Sequence, residues 1–167
     1  MRIATFNLES LDIEAGEDAA FERRAAALRP QIEALAADVL CLQEVNGQLV
    51  PGKAERELTA LRRLLAETRY DTYHLVASAA RDAPMRHKGG ASDVHNLVTL
   101  SRRPAQGSEA LRHRLVPPLA YRAVTAEPEG TRGLSLEWDR PLLHVTLETG
   151  SGEQLHIINL HLRSQLA

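Results

Sequence analysis

The sequence predicts a mixed α/β domain, an α+β or α/β sandwich of two sheets flanked by helices. Three observations carry this expectation. Two short apolar runs, RIATFNL at 2–8 and ADVLCLQEV at 37–45, have strand length and are joined by helical sequence, as in a βαβ unit. Leucines at positions 58, 61, 64 and 65 recur at helical spacing. Beyond residue 134 the chain turns into closely spaced strand-like runs.

The elements follow in order. After the first strand, Glu17 and Asp18 precede the alanine-rich segment 19–28, an acidic first turn on a helical body. Pro30 is expected to end that helix and open a short second one over 31–36, because proline is tolerated in a first turn and breaks an interior. A strand over 39–45 follows, and Pro51-Gly52 marks a loop. Residues 54–69 read as an amphipathic helix packing its leucine face on a sheet. Residues 73–77 and 96–101 read as strands, with Arg102-Arg103-Pro104 closing the second. The segment 81–93 (RDAPMRHKGGASD) is a basic loop, of the kind that approaches phosphates or simply connects elements in solvent. Strands are expected at 134–138, 141–149 and 154–162, the last two joined by a Gly150-Ser151-Gly152 hairpin turn.

Composition narrows the class. A chain of 167 residues, 44% hydrophobic and 25% charged, suits one globular domain rather than a disordered tail. A net charge of -2 argues against a protein that coats nucleic acid by bulk charge, while leaving room for a local basic groove. Only Lys53 and Lys88 are lysines among 20 basic residues. The remaining cations are therefore arginines, whose fork suits bidentate phosphate contact and whose ordinary place is the solvated surface. The lone Cys41 sits in an apolar strand, so it is expected to be a buried structural thiol in a reducing, cytoplasmic setting. The start passes from Met1-Arg2 directly into a strand without a leader-like segment, and no uncharged apolar run reaches the roughly 18 residues of a membrane span.

Strand parity selects the candidate site. Ile3, Thr5 and Asn7 share one strand face, as do Leu40, Leu42 and Glu44, and again Ile157, Asn159 and His161. Each series looks inward and ends in a polar side chain. A carboxylate, an amide and an imidazole at adjacent strand ends could hold a hard divalent cation through oxygen and leave the imidazole for proton transfer or phosphate contact. A separate site built from His87, His95, His113, His144 and His156 lacks HxxxH or CxxC spacing, so these are expected to be scattered structural histidines.

Five segments, RIATFNLES, ADVLCLQEV, NLVTLSRRP, DRPLLHVTLE and HIINLHL, resemble those of the endonuclease/exonuclease/phosphatase superfamily, the group of pancreatic deoxyribonuclease and exonuclease III. They run from residue 2 to residue 162, with LQEV the most specific. The resemblance implies that Glu44 ligates a metal and that Asn7 lies beside the same metal and the scissile phosphate. It implies that His161 faces the phosphate, that Arg140 clamps a phosphate oxygen, and that Asn96 holds a motif position of less defined role. The implied cofactor is Mg2+, with Mn2+ as a substitute. The implied reaction is in-line attack of water on a phosphoester, with the metal stabilising the leaving oxygen.

The family pattern continues to a Gly-Asp-x-Asn segment and a Ser-Asp-His segment that supply the water-activating Asp/His group, and neither occurs in this chain. Residues 1–167 are therefore expected to form the N-terminal part of a single domain, about the first half to two thirds of the sandwich. On its own this part is expected to be inactive or impaired, completed by its C-terminal half or by self-association. Nucleic acid is the first expectation for substrate. A small phosphoester or a lipid headgroup is the alternative, since aromatics for base stacking make up only 4% of the chain. A non-catalytic scaffold is the competing class.

Overall fold

A computed structural model describes residues 1–14, 16–78, 91, 93–111, 119–121, 134–136 and 140–162. Two sheets form the body. The first has strand order β1 (Ile3–Leu11), β2 (Val39–Val45), β6 (Asn96–Ser101), β5 (His74–Ala77). The second has order β11 (Gln154–Asn159), β10 (Leu142–Glu148), β7 (Ala105–Leu111). Short pairs β3 (Gln48–Leu49) with β4 (Arg56–Glu57) and β8 (Leu119–Tyr121) with β9 (Leu134–Leu136) complete the strands among the described residues. The sandwich of mixed α/β class is as expected.

β1 and β2 run parallel, joined by helix α1 (Asp18–Leu35), because a parallel pair needs a crossover. The helix is continuous through Pro30, contrary to the two-helix expectation. Tertiary contacts outweigh the proline. Phe21 and Ala25 are buried before it and Ile32 after it, and full burial of side chains such as Phe and Ile is worth roughly 1.5–3 kcal/mol each. Arg29 donates to the carbonyls of Leu64 (3.1 Å) and Arg63 (3.0 Å), tying this stretch to helix α2 (Thr59–Leu65).

α2 is shorter than the leucine periodicity suggests. Arg56 pairs with Asp93 (2.8 Å) and donates to the Gly47 carbonyl (2.8 Å), which holds residues 56–57 in a hairpin. Gln48 Oε1 then accepts from Thr59 Oγ1 and Ala60 N, both at 2.9 Å, and starts the helix at residue 59. Leu58, Leu61, Leu64 and Leu65 are all buried, as the pattern requires.

The first sheet packs its two faces into two cores. Leu40 and Leu42 of β2 face the helices with Leu8, Phe21, Ile32 and Leu61. Val39 and Cys41 face the second sheet with Leu97, Leu143, Val145 and Ile157. Cys41 is buried between the sheets, and burial pushes its thiol above the usual range, as expected of a structural cysteine. The hairpin at 149–153 joins β10 and β11 as anticipated, whereas β7 carries little apolar signal and was not anticipated. No helix among the described residues is long and apolar enough to cross a membrane. The loop 81–93, apart from residues 91 and 93, with its His87, and also His113, lies outside the described residues.

Candidate active site

The site is built by two irregularities in the ladder around the end of β2. Between the pairs Leu42–Val98 and Val45–Asn96, β2 carries two residues where β6 carries one. Between Asn7–Gln43 and Leu11–Val45, β1 carries three residues where β2 carries one. Such bulges bend a strand and re-aim a side chain. Glu44 adopts a left-handed backbone (φ 57°), as do Glu9 (φ 50°) and Ser10 (φ 55°) in β1. Non-glycine residues rarely enter this region, and where they do the surrounding structure must impose it. Arg24 of α1 imposes part of it, donating to the carbonyls of Leu8, Glu9 and Ser10.

This geometry corrects two parity expectations. Leu40 and Leu42 face the helices, yet Glu44 turns to the opposite side, because the bulge and its left-handed φ reverse the alternation. In β1 the inward apolar series is Ala4, Phe6 and Leu8, while Ile3 is 49% exposed on the face it shares with Thr5 and Asn7. In β11 the expectation holds, with Ile157 and Asn159 buried.

Four of the five candidates come together. Glu44 Oε2 accepts from Ser10 N at 3.1 Å, which orients the carboxylate. Its Oε1 lies 3.7 Å from Arg140 Nη1 and 3.6 Å from His161 Nδ1. Arg140 donates to His161 Nδ1. Asn7 Oδ1 accepts from Glu9 N at 2.8 Å, so its amide nitrogen must face His161 Nε2, 3.5 Å away. A neutral imidazole whose Nδ1 accepts carries its proton on Nε2, so the Asn7 contact brings two donors together with no acceptor between them. Glu44, Arg140 and His161 expose only 17%, 15% and 21% of their side chains, enough shielding to strengthen these interactions.

Burial lowers the pKa of His161 from its ordinary value. The Arg140 charge and the His95 ring push the same way, and Glu44 pulls against them. The imidazole is thus held toward its neutral form, the form that can accept from Arg140.

Asn96 is not brought into the group. It is fully buried, and its amide donates to the Val45 carbonyl at 2.8 Å, supporting the turn that follows Glu44 from beneath. The residues that sequence reasoning missed are the supports. Asn159 donates to the carbonyls of Leu42 (3.2 Å) and Val98 (3.0 Å) and accepts from Gln43 Nε2 (2.8 Å), which locks the second sheet onto the bulge. Asn46 accepts from His95 N (3.2 Å) and donates to Asp12 (3.0 Å). An Asn inside the apolar run HIINL was the available signal for the first of these, since a buried amide needs partners. His144 and His156 meet at 3.0 Å on an exposed sheet face, so these two histidines are paired rather than scattered.

No group of three His, Cys, Asp or Glu side chains among the described residues encloses a metal. Glu44 offers carboxylate oxygen, the donor a magnesium-like ion takes while keeping most of its waters, whereas Asn7 turns its amide nitrogen to the group and would ligate only through the lone pair of Oδ1 that Glu9 N leaves. A cavity of about 550 Å3 lies elsewhere, lined by Arg56, Leu58, Arg62, Leu75 and Ser78. The Glu44 group instead sits on strand ends.

The group is thus a bulged, strained strand end on a two-sheet α/β sandwich, with one carboxylate set among nitrogen donors. The sequence profile of the Endonuclease/Exonuclease/phosphatase family matches residues 4–159, and the chain belongs to that family. Its structure is similar to that of an endonuclease/exonuclease/phosphatase family protein from Leptotrichia buccalis C-1013-b, at 19% identity and a TM-score of 0.57, covering 98% of this chain and 55% of that one. It is also similar to D. rerio TDP2 humanized by 14 mutations, at 18% identity and a TM-score of 0.51, with coverage of 98% and 47%. A third similar structure is an endonuclease/exonuclease/phosphatase from Beutenbergia cavernae DSM 12333, at 26% identity and a TM-score of 0.50, with coverage of 99% and 39%. The chain thus spans between 39% and 55% of the length of these proteins. No curated protein matches the sequence.

Proposed function

We propose that this chain carries the phosphate-binding part of a Mg2+-dependent phosphoester hydrolase, a phosphodiesterase or nuclease acting on nucleic acid. The observation that supports it most is the cluster in which Arg140 and His161 both lie against the Glu44 carboxylate and Asn7 reaches the far side of the His161 ring. Glu44 and Asn7 would hold the metal, which when bound supplies charge neutralisation at the phosphate and at the leaving oxygen. Mn2+ would serve in its place.

The remaining work falls to the chain. Arg140 places a guanidinium beside the phosphate position, where a charge-assisted pair is stronger than a neutral one. The Nε2 proton of His161 and the Asn7 amide face the same space, so a phosphate oxygen entering between them would receive both. Ser10 and Arg24 keep Glu44 from relaxing into the regular ladder. Asn96 acts from below through Val45 rather than on the phosphate itself.

A partner follows from the edges. β1 and β11 are the outer strands of the two sheets, and the Asn7–His161 contact puts them on the same side. Ile3, Ile158 and Leu160 are exposed there. Further polypeptide, either the rest of this domain or a second copy, would cover these edges and bring the water-activating groups.

The test is hydrolysis of bis(4-nitrophenyl) phosphate with and without Mg2+, by the chain alone and by a version extended to its relatives' full length. Mg2+-dependent turnover abolished by Glu44→Ala supports the reading. Turnover unaffected by chelation or by that substitution would overturn it.

A further inference from the structure

We infer that His95 is a second imidazole of the phosphate site, a substrate-contacting residue that binds the phosphoryl group alongside His161; this rests on the phosphoester reading above.

Three observations lead there. Among the described residues, only three buried side-chain polar atoms lack a hydrogen-bond partner: His95 Nδ1, Arg140 Nε and Thr99 Oγ1. Thr99 pairs in register with Cys41 between the sheets, so its position belongs to the core. The other two belong to Arg140, already in the site, and to a residue close enough to act electrostatically on the His161 ring. A buried polar atom left without a partner is costly, and such atoms are uncommon enough to need a reason.

The backbone supplies the second observation. His95, the residue just before the strand that pairs with the bulge, is left-handed (φ 60°), as is Glu44 (φ 57°). Its N–H is anchored by Asn46 Oδ1, and Asn96 beside it is fixed to Val45, so the ring is carried on a braced segment rather than a loose one. Strain held in place by such bracing gathers at functional sites.

The third is position. β6 begins at Asn96, directly opposite Val45, which puts His95 at the same end of the sandwich as Glu44, Arg140 and His161. Buried nitrogens on Arg140 and His95 with nothing to bond to are what a site awaiting an anionic oxygen ligand presents. A purely structural histidine would be satisfied by its neighbours.

Inorganic phosphate titrated into 15N-labelled chain, read on the imidazole resonances, tests this. The expected result is that His95 and His161 shift along one binding curve. His95→Ala should then weaken phosphate binding about 10-fold, the loss of one charge-assisted hydrogen bond. His95→Asn or His95→Gln, which keep a nitrogen near Nδ1 or Nε2 respectively, should recover most of it, and Asn also tolerates the left-handed backbone. Amide resonances of β2 and β6 should stay in place throughout. If phosphate shifts His161 alone and His95→Ala binds equally well, the inference falls while the phosphoester reading stands. If affinity loss comes with displaced β2 and β6 amides and neither amide variant rescues it, His95 is structural. If phosphate shifts neither ring, both readings fall together.

Discussion

The two ends of β2 carry an acidic residue each, Asp38 just before the strand and Glu44 near its close, and the chain treats them in opposite ways. At the first end everything is paired. Asp38 accepts from Arg2 N at 2.7 Å and meets Arg102 at 3.2 Å, while its own N–H and carbonyl bond to Arg2 O (2.7 Å) and Arg102 N (3.2 Å). The Arg2 hydrogen bond holds its carboxyl below the usual range, with desolvation opposing and the Arg102 charge helping. At the other end the ladder bulges, three residues in β1 and β2 are left-handed, and buried nitrogens of Arg140 and His95 go without partners. The same strand is thus anchored at one end and strained at the other. Free energy not spent on satisfying groups at the Glu44 end leaves donors available to a ligand.

Breaking the Glu44 end should change function more than stability. Glu44→Ala is expected to abolish Mg2+ binding measured by calorimetry while the urea midpoint stays nearly constant; unchanged Mg2+ affinity would remove Glu44 from the metal site. His161→Ala should slow hydrolysis by about 10²–10⁴-fold, the range for a positioned proton donor, with Mg2+ affinity little altered. Equal losses in rate and metal binding would make His161 a structural residue.

The support between the ends should behave oppositely. Asn159→Ala removes three hydrogen bonds that join the second sheet to Leu42, Gln43 and Val98, and leaves two buried carbonyls short of a donor. A loss of about 2–4 kcal/mol in urea unfolding is expected. A loss under about 1 kcal/mol would mean that apolar packing alone joins the sheets, since a single ordinary hydrogen bond is worth that much.

Asp38→Asn should have the smallest effect, a slightly lower Tm at pH 7. Because the folded carboxyl is held below its unfolded value of about 3.9, its contribution is complete above that pH. It is lost as pH falls through the lower folded value, so the two proteins should converge in acid. A Tm difference that did not shrink as the pH was lowered from the unfolded value would assign the effect to shape rather than charge.

Much of this protein could be read without coordinates. The runs at 39–45 and 96–101 are strands because their apolar, β-branched residues fit a buried pleat, and both stand where periodicity puts them. The leucines of α2 are buried as their spacing demands, and Glu44, Asn7, Arg140 and His161 were identifiable from their motifs. Local chemistry determined the strands and the helix face, since spacing and side-chain type act within a few residues, whereas the four site residues stood out through the resemblance of their motifs to a known family.

Only tertiary structure decided the rest. Pro30 stays inside α1 because Phe21, Ala25 and Ile32 are buried along it, a long-range gain that a local breaker rule omits. Glu44 changes face because a bulge opposite β6 and three carbonyls gripped by Arg24 reverse the alternation of the strand. Asn159 and His95 acquire their importance from partners more than 40 residues away in sequence. Alternation is a property of an ideal strand, whereas a bulge is a compromise among neighbours, and the energies that settle it come from contacts no window of sequence contains.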